Sequence, residues 1–247
     1  MVQKRNPPAP RARPKLAKPE PPSGGVPPKR RGRPRAYEPD VALARALDVF
    51  WKDGFAATSL DDLSAATGMN RPSLYGAFGD KRELYKKTYE SYRNRARARM
   101  GEVFAADMPL RPMLERIYGI ALDMYLSGDD GPRGCFTVMT ATSEAVFDPD
   151  IRAMVVSGLV EMDRFFARLF KIAQERGELP ASADPQVLAS LASATIHTIA
   201  IRARAQIPRA ELEAIVNGAV NVMLRVDCRP GEGRDPYAAA GIVGKRR

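Results

Sequence analysis

The chain has 247 residues, 39 Lys or Arg against 29 Asp or Glu, a formal net charge of +10 and two cysteines. That length buries one good core or two modest ones, and the absence of any run of about eighteen apolar residues argues against a membrane span. Cys135 and Cys228 lie in no metal-ligand spacing, so no disulfide, metal or cofactor is expected and a reduced, cytoplasmic setting is the natural reading.

The charge is unevenly placed. Residues 1–36 hold eleven of the basic residues and one acid, which leaves 28 of each sign in the remainder. Residues 1–35 are rich in proline and in Lys or Arg and nearly free of apolar side chains, the composition of a disordered arm without a secretory h-region. The arm ends in KRRGRPR, Lys29 to Arg35, which resembles an AT-hook core. In such a segment glycine and proline keep the backbone slim, so that Arg33, with Arg35 beside it, can enter a narrow, electronegative minor groove. A strong positive field confined to one arm points to a polyanion, with double-stranded DNA the expected partner; a merely solubilising tail is the alternative.

A first helix is expected from about Pro39 to Asp53, with Leu43, Leu47 and Phe50 on one face, Gly54 closing it, and Trp51 and Phe55 in the core. The stretch SLDDLSAATGMNRPSLYGAF, residues 59–78, then reads as two short helices bent at Gly68. Ser59 and Asp62 form a capping box, and Leu60, Leu63 and Ala66 make the buried side. Asn70 caps the second helix, Arg71 to about Ala77, with Pro72 in its first turn. Asp80 and Glu83 open a long third helix that reaches about Ala105. Any small helical hairpin is the bland alternative; two capped short helices in this order favour the helix-turn-helix that seats a helix in the major groove.

The blocks DVFWKDGFAATS, PSLYGAF and the GDK after it, within about Ala36 to Tyr92, resemble the N-terminal domain of the TetR (tetracycline-repressor) family of bacterial transcription regulators. The resemblance implies an all-α protein: a three-helix DNA-binding domain over residues 36–96, a C-terminal ligand-binding and dimerisation domain over 97–228, and a flexible tail over 229–247. It further implies a homodimer that represses transcription from a palindromic operator and lets go when a small effector binds. Arg71 and Ser73 are then the base-edge candidates and Pro72 meets a thymine methyl or sugar. Tyr75, Lys81 and the Ser59 hydroxyl hold phosphates.

Arg93, Arg95, Arg97 and Arg99 alternate around the long helix and are read as solvating it. Helices follow at about Pro109–Leu126, Cys135–Phe147, Asp150–Arg176, Pro185–Ala205 and Pro208–Val226, broken by Pro, Gly and Asp clusters. The last two are apolar around most of their circumference and need a partner. The resemblance makes that partner the same pair on a second subunit, with Leu191, Ile199, Ile215 and Val220 at the interface; burial within one subunit is the alternative. It also assigns an effector cavity to the middle helices, where Met124, Tyr125, Cys135, Phe136, Phe166 and His197 are the candidate contacts. His197 also suits a core or interface position, and Cys135 a buried inert one. A redox or electrophile sensor acting through Cys135, beside Arg133, is the sharper reading. The regulator reading implies a bacterial, cytoplasmic and nucleoid-associated location; the rival from another class is an architectural binder of AT-rich DNA that works through the arm and senses nothing.

Overall fold

The computed structural model describes residues 38–128 and 131–225, and all regular structure among them is helical. The order is α1 (Pro39–Ala57), α2 (Leu60–Thr67), α3 (Arg71–Phe78), α4 (Lys81–Ala105), α5 (Leu110–Leu126), a π-turn (Thr137–Ala141) running into α6 (Thr142–Glu144), α7 (Pro149–Glu175), α8 (Pro185–Arg204) and α9 (Arg209–Arg225). The arm with Arg33 and Arg35, Cys228 and the tail from residue 229 lie outside the described residues.

Local chemistry sets the first half. Proline at the start of α1 fits a position whose N–H has no intrahelical acceptor, and the helical twist breaks at Gly54. The Ser59–Asp62 box is complete: the Asp62 N–H donates to Ser59 Oγ at 3.1 Å and the Ser59 N–H donates to Asp62 Oδ2 at 2.8 Å. Gly68 ends α2 in the left-handed region at φ 70°, where any Cβ is strained. Asn70 Oδ1 accepts from the Ser73 N–H at 2.9 Å and Asp80 Oδ1 from the Glu83 N–H at 2.8 Å, which fixes the starts of α3 and α4. Leu63, Leu74, Phe78 and Leu84 are then buried with Phe50 in the core. Each such side chain contributes roughly 1.5–3 kcal/mol on full burial.

The halves share one core, centred where they meet on Phe136. Phe136, wholly buried, lies against Trp51 of α1 and Tyr85, Tyr89 and Tyr92 of α4, with ring centroids 5.6–5.8 Å apart. The expected helix Cys135–Phe147 is accordingly not a plain α-helix. After Phe136 the chain makes a π-turn, closed by the Thr142 N–H donating to Thr137 O. Threonine hydroxyls at 140 and 142 donate to the carbonyls of Phe136 and Val138, a contact that loosens regular helix. Gly134, just before it, sits where a Cβ would come within 2.8 Å of Ala200 O on α8, so only glycine lets the two backbones meet.

Beyond α4, α5 packs against α8 and α9, and α8 lies along α7. Asp148 caps α7 and pairs with Arg82 of α4 at 2.7 Å. Burial alone would raise the Asp148 carboxyl; the Ile151 and Asp150 N–H groups and the Arg82 guanidinium outweigh it and hold it below the usual range.

Candidate nucleic-acid interface and effector cavity

α3 presents Arg71, Pro72, Ser73, Tyr75 and Gly76 to solvent, while Leu74 and Phe78 hold it to the core. Tyr75 is 48% exposed, so its phenol is not a core group. Arg71, Ser59 and Lys81 are engaged within the chain. The Arg71 guanidinium donates from Nε and Nη2 to Asp61 at 3.0 and 2.7 Å, a pair across the turn between α2 and α3. Ser59 Oγ–H donates to Asp62 Oδ2 at 2.6 Å. Lys81 sits 4.4 Å over the Phe55 ring, and burial there, against the pull of Glu144 and Asp62, lowers its pKa. Arg71, Ser73 and Tyr75 thus share one open face, with Lys81 and Ser59 at its margins tied to neighbours.

A cavity of about 890 Å³ lies behind this domain. Its apolar wall is built from Met100 and Phe104 of α4, Ile120 and Met124 of α5, and Met162 and Phe166 of α7. Leu47, Asp48 and Trp51 of α1 close one side, so a helix of the DNA-binding half is part of the wall. Of the six expected ligand contacts, Met124, Tyr125, Cys135 and Phe166 line the space. Phe136 and His197 do not: Phe136 fills the aromatic cluster, and burial lowers the pKa of His197, with Asp163 opposing. Cys135 is buried with Sγ 3.2 Å from Tyr92 Oη, and the Arg133 guanidinium expected to act on it is engaged by Asp48.

Two of the four arginines read as solvating α4 depart from that assignment, while Arg95 and Arg99 remain exposed. Arg93 and Arg97, four residues apart and so on one helix face, both turn to Glu161 of α7 at 2.9 and 2.8 Å. Burial raises the Glu161 carboxyl, and the two guanidinium groups bring it below its ordinary value. The i, i+4 spacing was visible in the sequence; the partner, 68 residues beyond Arg93 and 64 beyond Arg97, was not.

The C-terminal helices also sort themselves. Ile199 and Val220 are wholly buried inside the subunit and cannot present a face to a second copy, and Ile215 is half-buried. Val187, Leu191 and Ile201 of α8 and Val222 of α9 remain exposed, and Leu191 alone of the four expected interface positions is among them. Among the described residues no helix is long and apolar enough to cross a membrane.

Comparison with known proteins agrees with this architecture. Residues 42–88 match the model described as bacterial regulatory proteins, tetR family, and residues 113–219 match the tetracyclin repressor-like C-terminal domain. The HTH-type transcriptional repressor ComR of Escherichia coli is 31% identical over 177 residues, 71% of this chain and 84% of ComR. The transcriptional regulator AcuR of Cereibacter sphaeroides is 29% identical over 167 residues, 65% of this chain and 75% of AcuR. A cysteine mutant of the TetR family regulator CifR, complexed with 26-bp double-strand operator DNA, superposes with a TM-score of 0.70 at 29% identity, covering 77% of this chain and 98% of CifR. A capped helix-turn-helix, the helical domain behind it and these matches together place the chain in the TetR family of DNA-binding transcriptional regulators.

Proposed function

We propose that this protein is a transcriptional repressor that binds a palindromic operator as a homodimer and releases it when a small molecule fills the cavity. The observation that carries the reading is the shared wall: Leu47, Asp48 and Trp51 belong both to the cavity and to the helix that packs against α2 and α4, the two helices that hold α3. A ligand that favours one packing of that wall changes the pose of the DNA-binding helices by its differential affinity for the two states. The repressor ComR and the operator-bound CifR support the DNA half of the proposal. The exposed stripe Val187, Leu191, Ile201 and Val222 supports a two-fold interface, which matches two half-sites.

The test is binding to an operator recovered by footprinting, with base-by-base variants of one half-site over a salt series. Arg71→Ala should weaken the best site about tenfold and relax preference at one or two positions per half-site. Tyr75→Phe should weaken all sequences equally. Removing residues 1–36 should lower the slope of log K against log salt by ~0.9 for each lost phosphate contact and keep the same preferred palindrome. Loss of all preference on truncation would favour the architectural reading, in which Arg33 and Arg35 carry the binding.

A further inference from the structure

The cavity has an electrical character that the apolar wall hides. Seven arginines line it against three acids, Asp48, Asp123 and Glu161. Asp123 is committed outside the lining, to Arg209 of α9 at 2.8 Å, and Glu161 is shared between two of the lining arginines, Arg93 and Arg97. Arg95, Arg99 and Arg164 have no ion-pair partner among the described residues. These three are exposed, so they give the mouth of the cavity a positive rim, which draws an anion toward it in preference to a cation.

The third acid marks where that anion acts. Arg133 Nη1 lies 2.5 Å from Asp48 Oδ1, joining the segment after α5 to α1. The backbone under Arg133 is fixed, because its N–H and that of Gly134 both donate to Tyr125 O at 2.9 and 3.0 Å. The side chain alone therefore decides its partner. Its guanidinium also stands 5.7 Å over the Trp51 ring. Trp51, 6% exposed and in the cavity wall, has an indole Nε1–H buried without a hydrogen-bond partner among the described residues. A buried donor left unpaired beside a guanidinium is a site waiting for an acceptor.

We propose that the effector is an apolar molecule with a single carboxylate, and that this carboxylate takes Arg133 from Asp48 and accepts the Trp51 indole N–H. Its apolar body lies along Met124, Phe166 and their neighbours. Capture of Arg133 removes the ion pair between α1 and the segment after α5 and leaves the Trp51–Phe136 contact, which gives the ligand its grip on the DNA-binding half. This deepens the ligand-released reading and rests on it.

Trp51 is the chain's one tryptophan, so intrinsic fluorescence reports this site without a label. The probes are decanoate and 4-phenylbutanoate, each beside its methyl ester. Both acids should quench or shift the emission, and the esters should need at least tenfold higher concentration. Arg133→Gln should weaken the acids about tenfold. Asp48→Asn, which removes the competitor and spares the arginine, should tighten them severalfold. Loss of general structure would move both variants the same way, and Asp48→Asn decides the matter even if Arg133→Gln fails to fold. Esters binding as well as acids, both variants shifting together, or no response to either acid would overturn the proposal. Operator affinity is measured alongside: acids that bind with this pattern yet leave operator binding unchanged uphold the anion site and sink the release mechanism instead.

Discussion

Leu191→Asp is the decisive perturbation of the proposed dimer. Leu191 is 43% exposed on the outer stripe of α8, so docking removes the remaining part of its surface from water. Full burial of a leucine is worth roughly 1.5–3 kcal/mol, so that remainder amounts to roughly 1 kcal/mol per copy. A carboxylate at the same place must be stripped of water, at a cost of at least about 2 kcal/mol per copy. The two-fold repeats every change, so the sum reaches roughly 6 kcal/mol, about four orders of magnitude in the dimer dissociation constant. Sedimentation equilibrium should show a folded monomer with an unchanged melting temperature, and operator affinity should fall as the linkage between half-sites disappears. The control is Val220→Asp. Val220 is 0% exposed within the subunit, so that change should abolish folding rather than dimerisation. A folded Leu191→Asp dimer would refute the assignment of this face.

Two further outcomes follow from the interior. Phe136→Ala should cost about 3–5 kcal/mol by leaving a void among four aromatic rings, read as a lowered denaturant midpoint, whereas Phe136→Leu should cost less. His197 is held below its ordinary pKa of 6.5 by burial, so the unfolded chain binds its proton more readily and stability falls as pH drops below about 6.5. His197→Gln should flatten that part of the stability curve; an unchanged slope between pH 7 and 5 would show that His197 is not its source.

The helix-turn-helix was legible because its determinants are local. Ser59, Gly68, Asn70, Pro72 and Asp80 each act within four residues of their own position, so composition and spacing were enough. The cavity was partly legible: Met124, Tyr125, Cys135 and Phe166 line it, but the same apolar pattern also suited Phe136, which a cluster of rings from α1 and α4 claims. Which faces of the last two helices stay open was the least readable part. α8 and α9 are apolar on several sides, and periodicity alone does not say whether Val220 or Val222 faces inward. Packing against α5 decides it, and that contact joins segments about a hundred residues apart. The inward turn of Arg93 and Arg97 has the same origin, since Glu161 enters the argument only once α7 is beside α4.

The π-turn at Thr137–Ala141 has a bearing on how this chain tolerates changes in length. In an α-helix, deleting one residue rotates everything beyond it by about 100° and drags a buried face into water. A π-turn already contains one residue more than the regular spiral needs. A deletion inside it can therefore relax to ordinary helix, leaving Phe136 on one side and the run into α6 on the other in their present orientation. Variants one residue shorter should be tolerated at this point and not within α7 or α8, where each residue is counted into a packed face.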